Sequence, residues 1–167
     1  MLLTVQAPWI VSQGEANALT GVHHARMIEP LDVMPLLLAA CPSFAEEWAT
    51  TESENLDETS PSGRLGYVDA GDFIRHMVRL RLADGTHEFP AIFDVLERLV
   101  IEGNDYVRNL GVIGYLEGFQ MMTVTGQGLD PEADFRPWLR PVSERWWERI
   151  NRLWAGDDSA LQSDDLP

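Results

Sequence analysis

Hydrophobic residues recur at helical spacing through most of this chain. From Glu88 to Glu102, Phe89, Ile92, Phe93, Leu96, Leu99 and Val100 fall on one face, while Asp94, Glu97 and Arg98 face away. That is the period of an amphipathic helix, and Pro90 sits in its first turn, where a missing N–H costs nothing. A helix over Val68–Ala83 carries Phe73, Ile74, Met77, Val78 and Leu80 as its inner stripe, with Asp72, Arg75, His76 and Arg79 outside, and Gly85 closes it. The stretch Asp105–Met122 has Val107, Leu110, Val112, Ile113, Leu116, Phe119 and Met121 around most of its circumference. It is therefore expected to be the central, most buried helix. Gly111, Gly114 and Gly118 read as one side of it, where another helix crosses at close range. Between the Glu88–Glu102 and Asp105–Met122 helices, Gly103 is expected to be left-handed and Asn104 or Asp105 to cap the second of them, making the pair antiparallel neighbours.

The flanking segments are shorter. A helix over Leu31–Ala40 is broken by Pro42, and Ser43 is expected to cap a second one carrying Phe44 and Trp48. Residues 50–66, polar and rich in turn formers, read as a mobile loop. After a loop at Thr125–Pro131 come a short helix near Glu132–Leu139 and a last helix over Val142–Ala155. Its apolar stripe is Trp146, Trp147, Ile150, Leu153 and Trp154, and Glu148 and Arg152 stand at i, i+4. Strand signals are confined to Leu3–Val5, Trp9–Val11 and Gly66–Val68. The fold class is all-α, a compact bundle of about six or seven helices stacked as antiparallel hairpins. The expected organisation is an N-terminal arm (1–27), a single helical domain (28–156) and an acidic tail (157–167).

Composition agrees with a globular domain: 167 residues, 45% hydrophobic and 23% charged. The N-terminus has a superficial likeness to a signal peptide, but it lacks a positive start, and Gln6 and Pro8 interrupt its apolar stretch. No apolar run approaches the ~18 residues of a membrane span. A cytoplasmic location is expected. Cys41 is the only cysteine, so no intrachain disulfide can form, and before Pro42 it reads as a small apolar filler.

Charge narrows the function classes. The net charge is −15 and all 12 basic residues are arginine. Residues 1–63 hold nine acids against Arg26 alone, residues 64–156 are nearly balanced, and the last eleven residues hold four aspartates. Nucleic-acid binding is disfavoured, because phosphate contacts need an excess of basic charge. A basic protein partner is favoured, because opposite fields speed encounter.

Catalytic chemistry is hard to find in the sequence. His23-His24 has no carboxylate at ligand spacing, and adjacent histidines on a helix point apart. His76 beside Asp72 and Arg79 reads as a surface salt-bridge residue, and His87 stands alone. Ser143 reads as a helix cap, with no nucleophile motif around it. Glu97, Glu102 and Glu117 lack the Glu-x-x-His that a di-metal carboxylate site would need. Trp138, Trp146, Trp147 and Trp154 read as a core anchor, with an exposed binding patch as the alternative. No catalytic, cofactor or metal site is assigned. The leading expectation is a non-catalytic protein-binding module, most concretely an immunity-type inhibitor of a bacterial toxin or other basic partner. It would act through Glu46, Glu47, Glu52, Glu54, Asp57 and Glu58. The alternatives are a helical scaffold or adaptor, and a nucleic-acid mimic acting on a DNA-binding enzyme.

Two blocks, EFPAIFDVLERLVIEGNDYVRNLGVIGYLEGFQ (Glu88–Gln120) and DFRPWLRPVSERWWERINRLW (Asp134–Trp154), resemble an uncharacterised bacterial family of helical domains of unknown function. That family shares FPxxFxxxERLxxEGxxxVRNLxxxGxLE and an FRPWLxPxSxxWW ending. The ACPSF block (Ala40–Phe44) and YVDAGDFIRHMV (Tyr67–Val78) fit the same family. The resemblance implies a helical fold and no assigned activity. Separately, Asp105–Arg108 resembles the start of the second helix of HEAT-type repeats, which implies that Arg108 ties neighbouring helices together.

Overall fold

The computed structural model describes residues 26–124 and 128–161. The described chain is all-α. A 3-10 turn at Pro30–Asp32 leads into α1 (Val33–Ala40), and another at Pro42–Phe44 leads into α2 (Ala45–Thr51). A long loop precedes α3 (Gly66–Leu82), and a 3-10 turn at Thr86–Glu88 opens α4 (Phe89–Glu102). The next helix runs through three stretches: α5 (Asp105–Asn109), a π-helical stretch (Leu110–Glu117) and α6 (Gly118–Val124). Then come α7 (Pro131–Asp134), a 3-10 turn (Arg136–Trp138) and α8 (Pro141–Trp154). Among the described residues, β pairing is confined to two isolated bridges, Ile28 with Gly103 and Leu56 with Arg64. No helix among them is long and apolar enough to cross a membrane.

The helix running from Asp105 is the axis of the molecule. Val107, Leu110, Val112, Leu116 and Phe119 are buried as their spacing predicts, and Tyr115 joins them at 1% exposure. Ile113 and Met121, expected to be buried, lie on the open side at 43% and 50%. Helices α3, α4 and α8 cover the rest. All six apolar positions expected on α4 are buried. Rings link the layers: Phe44 meets Phe73 edge-on at 5.2 Å, and Phe119 stacks on Phe135 at 4.8 Å and on Phe93 at 5.7 Å.

The glycines serve close approach, though not on one face. A Cβ on Gly111 would lie 3.1 Å from Val100 Cγ2 of α4, whereas one on Gly118 would lie 2.5 Å from Ile74 Cδ1 of α3. Two different helices therefore press on the axis. Gly103 is not left-handed as expected; its φ of −71° and ψ of 150° are extended. It is needed because a Cβ there would collide with the Leu99 carbonyl oxygen and stand 2.6 Å from Val107 Cγ1. Asn104 does cap α5, its side chain accepting from the Val107 N–H at 2.9 Å. Ile28 clamps this corner, donating to the Glu102 carbonyl at 2.9 Å and accepting from Asn104 N–H at 3.1 Å. Gly85 closes α3 as expected, its N–H donating to the Leu80 carbonyl at 2.8 Å, with Asp84 before it left-handed (φ 58°).

At the C-terminus Trp147 and Ile150 are the buried residues of the expected stripe, Trp146 and Leu153 are half-buried, and Trp154 is 58% exposed. Trp147 donates its indole N–H to Glu132 Oε1 at 2.7 Å, and its carbonyl accepts from Gln120. Glu97 of α4 accepts from the Val142 and Ser143 N–H groups at 2.8 and 2.7 Å, satisfying otherwise orphaned donors at the start of α8. The expected Glu148–Arg152 pair does not form: Glu148 turns to Arg136 and Arg152 to Asp157. The start of the tail is also more engaged than its polarity predicts, since a 3-10 turn at Asp158–Leu161 folds against α8 and buries Ala160. The expected strands at Leu3–Val5 and Trp9–Val11 lie outside the described residues, and Gly66–Val68 opens α3.

Two substitutions test this packing. Gly103→Ala is expected to destabilise the protein by about 1–3 kcal/mol, because backbone must move to admit the methyl group; thermal melting measures it. Trp147→Ala should cost about 3–5 kcal/mol, while Trp154→Ala on the same helix should stay within about 0.5 kcal/mol. Equal losses in the two variants would show that both tryptophans carry the core.

Candidate functional site

Where α1 ends, Pro42 interrupts the helical hydrogen bonding and Cys41 adopts φ −129°, ψ 70°. The chain turns there, and Phe44 anchors the turn by burying its ring against Phe73 and against His76, 5.2 Å away between centroids. The anchor directs Cys41 and Ser43 toward α3 and toward Glu88 at the start of α4. Cys41 is fully buried, His76 and Glu88 are each 9% exposed, and Ser43 opens to solvent. Neither Cys41 nor His76 plays the part its sequence context suggests. Cys41 is no apolar filler, and its thiol donates to Glu88 Oε2 at 3.2 Å. His76 is not a surface residue of Asp72 and Arg79. It lies under the α1–α2 turn, with Nε2 2.9 Å from Ser43 Oγ and Nδ1 3.3 Å from Glu47 Oε2. Ser43 makes no side-chain cap for α2; its hydroxyl donates to Glu88 Oε2 through a short contact and its N–H donates to Glu88 Oε1 at 3.1 Å.

The electrostatics result from burial and these bonds. Burial, with Glu88 nearby, pushes the Cys41 thiol up to about 11 despite the Ser43 contact. It is therefore protonated at neutral pH and a poor nucleophile. Burial lowers the His76 pKa, against the opposing pull of Glu47. Burial works against an ionised Glu88, but hydrogen bonds from Ser43 and Cys41 outweigh it and hold the carboxyl below its usual value. The order Ser43–His76–Glu47 has the sequence of groups found in a nucleophile–base–carboxylate triad. However, Ser43 gives its proton to Glu88, whereas a triad serine gives it to the imidazole. Cys41 Sγ, one ring nitrogen of His76 and one carboxylate oxygen of Glu88 lie within 4.8 Å of one another, a set of atom types that can hold a metal ion.

The acidic residues singled out from the sequence divide into two groups. Glu46, Glu52, Glu54 and Glu58 are exposed on α2 and the loop after it. Glu47 turns inward to His76 and to Arg79, which contacts it at short range. Asp57 shapes the loop, accepting from the Thr59 hydroxyl at 2.7 Å and its N–H at 3.0 Å, which lowers its carboxyl pKa. The loop of residues 52–65 is tied rather than loose. Arg64 forks onto Asp69 at 2.8 and 3.0 Å and lies 4.5 Å over the Trp48 ring, and Asn55 donates to Asp69 at 2.9 Å.

The remaining candidates do not converge. Glu97 caps α8, Glu102 pairs with Arg98, and half-burial raises the Glu117 carboxyl pKa. His87 is exposed, Ser143 is buried inside the first turn of α8, and His23-His24 lies outside the described residues. Arg108 donates to the Val100 carbonyl at 3.2 Å and ties α5 back to α4. Sequence reasoning missed the Cys41–Ser43–His76–Glu88 cluster. One signal was available: His76 stands three residues after Phe73 and four before Leu80, on the stripe itself.

No curated protein and no solved structure matches the chain. The family model for a domain of unknown function, DUF7674, matches residues 34–155. That range covers most of the chain and contains the whole polar cluster, and the chain belongs to this family.

Proposed function

We propose that this protein is a non-catalytic binding module for a basic protein partner, most concretely an immunity-type inhibitor that covers the basic site of a bacterial toxin. The observation that carries this reading is a contrast in how the acids are used. Elsewhere in the fold many acids are paired: Asp134 with Arg81, Glu102 with Arg98, Asp94 with Arg140, and Glu132, Glu144 and Glu148 with Arg136; those without a cation there, such as Glu29, Asp105, Glu117 and Asp158, stand singly along the chain. Glu46, Glu52, Glu54 and Glu58 are exposed, and their carboxylates have no cationic partner among the described residues. Arg64, the arginine of that region, is turned inward onto Asp69. An unneutralised patch on an anchored loop projects a negative field and loses less conformational entropy on binding than a loose one. The Arg108–Val100 link within the α4–α5 pair also suits a rigid helical scaffold, the alternative reading.

The patch is tested by changing Glu46, Glu52, Glu54 and Glu58 together to glutamine and comparing capture of partner from host lysate with that of the unaltered chain. Capture by the unaltered chain should weaken between ~0.05 and ~0.3 M salt as the Debye length shortens, and the variant should lose it. A partner retained equally by both chains, at both salt concentrations, would favour the scaffold reading.

A further inference from the structure

We propose that Cys41 Sγ, His76 Nε2 and Glu88 Oε2 form a binding site for a divalent transition-metal ion, zinc in preference, with the fourth position open on the solvent side beside Ser43. The inference goes beyond the acidic face and does not depend on it.

The ligand atoms are already gathered. Cys41 Sγ, one ring nitrogen of His76 and one carboxylate oxygen of Glu88 lie within 4.8 Å of one another, and Sγ and Oε2 are 3.2 Å apart. A tetrahedral zinc ion with thiolate, imidazole and carboxylate ligands separates them by about 3.3–3.8 Å, given its usual bond lengths, so small side-chain rotations suffice. The three residues come from different segments: the end of α1, the middle of α3 and the turn before α4. The core fixes those segments through Phe44, Phe73 and Phe89, which are fully buried. A sulfur–nitrogen–oxygen set suits zinc and its neighbours, while a thiolate disfavours magnesium and calcium.

The surrounding groups point the same way. A ligating histidine usually donates its other ring N–H to a carboxylate. Here Glu47 Oε2 stands 3.3 Å from Nδ1, itself held by Arg79. Ser43 N–H holds Glu88 Oε1 at 3.1 Å, and Oε2, which accepts from the Ser43 hydroxyl and the Cys41 thiol, turns to the ion once the thiol proton leaves and the hydroxyl swings aside. Both ring nitrogens of His76 face oxygens, Nδ1 that of Glu47 and Nε2 that of Ser43, so a metal that takes Nε2 in place of the Ser43 contact leaves Nδ1–H to Glu47. Binding replaces the Cys41 S–H proton, which leaves to solvent, with an S–metal bond. The Ser43 hydroxyl, 2.9 Å from Nε2 and 3.5 Å from Sγ, swings aside for a water ligand. Its exposure provides the entry path that a buried site needs.

The test is a cobalt titration of the untagged, metal-stripped full chain, read by absorption, with melting temperature followed in parallel. Because Cys41 is the only cysteine, a thiolate-to-cobalt charge-transfer band reports that residue without any variant. The expected result is this band together with tetrahedral visible bands, saturating at one ion per chain and displaced by zinc. Zinc should also raise the melting temperature. Cys41→Ser should abolish the charge-transfer band, and Glu47→Gln should weaken affinity by about 10–100-fold while retaining it. His23→Ala/His24→Ala should bind like the unaltered chain. The proposal is overturned if the unaltered chain shows no charge-transfer band, if saturation at half an ion per chain shows the metal bridging two chains, or if the His23→Ala/His24→Ala variant loses the signal. Should Cys41→Ser fail to fold, the band in the unaltered chain still decides.

Discussion

Everything in this fold is arranged around one helix that is apolar on most of its surface. The stretch from Asp105 to Val124 is apolar on so much of its surface that three helices are needed to cover it, and α3, α4 and α8 do so. Burying its large side chains supplies about 1.5–3 kcal/mol each, but only if neighbours can come close, which explains the helix-weakening glycines at Gly111 and Gly118. The placement of the polar cluster is set by the same packing. His76 is carried by α3 and Glu88 by the approach to α4, two of the helices that must meet at this axis.

The parts of the fold with strong periodicity are legible in the sequence. Every apolar position expected on α4 is buried, because a regular stripe against a flat neighbour leaves little choice. Sequence and structure part where polarity stands in for position. Polarity assigns His76 to the outside, yet its register with Phe73 and Leu80 puts it inward. Apolarity assigns Trp154 to the inside, yet at the last turn of α8 its side chain is 58% exposed. Gly103 is present for its size and not for its φ, a distinction set by Leu99 and Val107 in space and by no local signal. The candidate site is the least visible part, since Cys41, His76 and Glu88 are far apart in sequence and meet only through tertiary packing.

The segment from Cys41 to Arg64 carries two kinds of chemistry side by side. Its buried side supplies a thiol, a hydroxyl and, through Glu47, a carboxylate that orients His76. Its wet side supplies the unpaired acids. Arg64, forked onto Asp69 and laid over Trp48, ties the end of this segment to α3 and α2. Breaking such a largely buried pair leaves an uncompensated charge, so the loop is held by electrostatics where it has little apolar surface of its own.

The π-helical stretch at Leu110–Glu117 sets the phase of the whole axis. A π turn holds more residues than an α turn, so it changes the angular relation between the two ends of the rod without breaking it. Upstream, Val107 is aimed at the α4 corner; downstream, Phe119 and Gln120 are aimed at the ring stack and at α8. In a uniform α-helix these sets would be rotated relative to each other. The stretch thus works as a gear between two interfaces, and the axis can serve α4 and α8 together because its middle is wound differently from its ends.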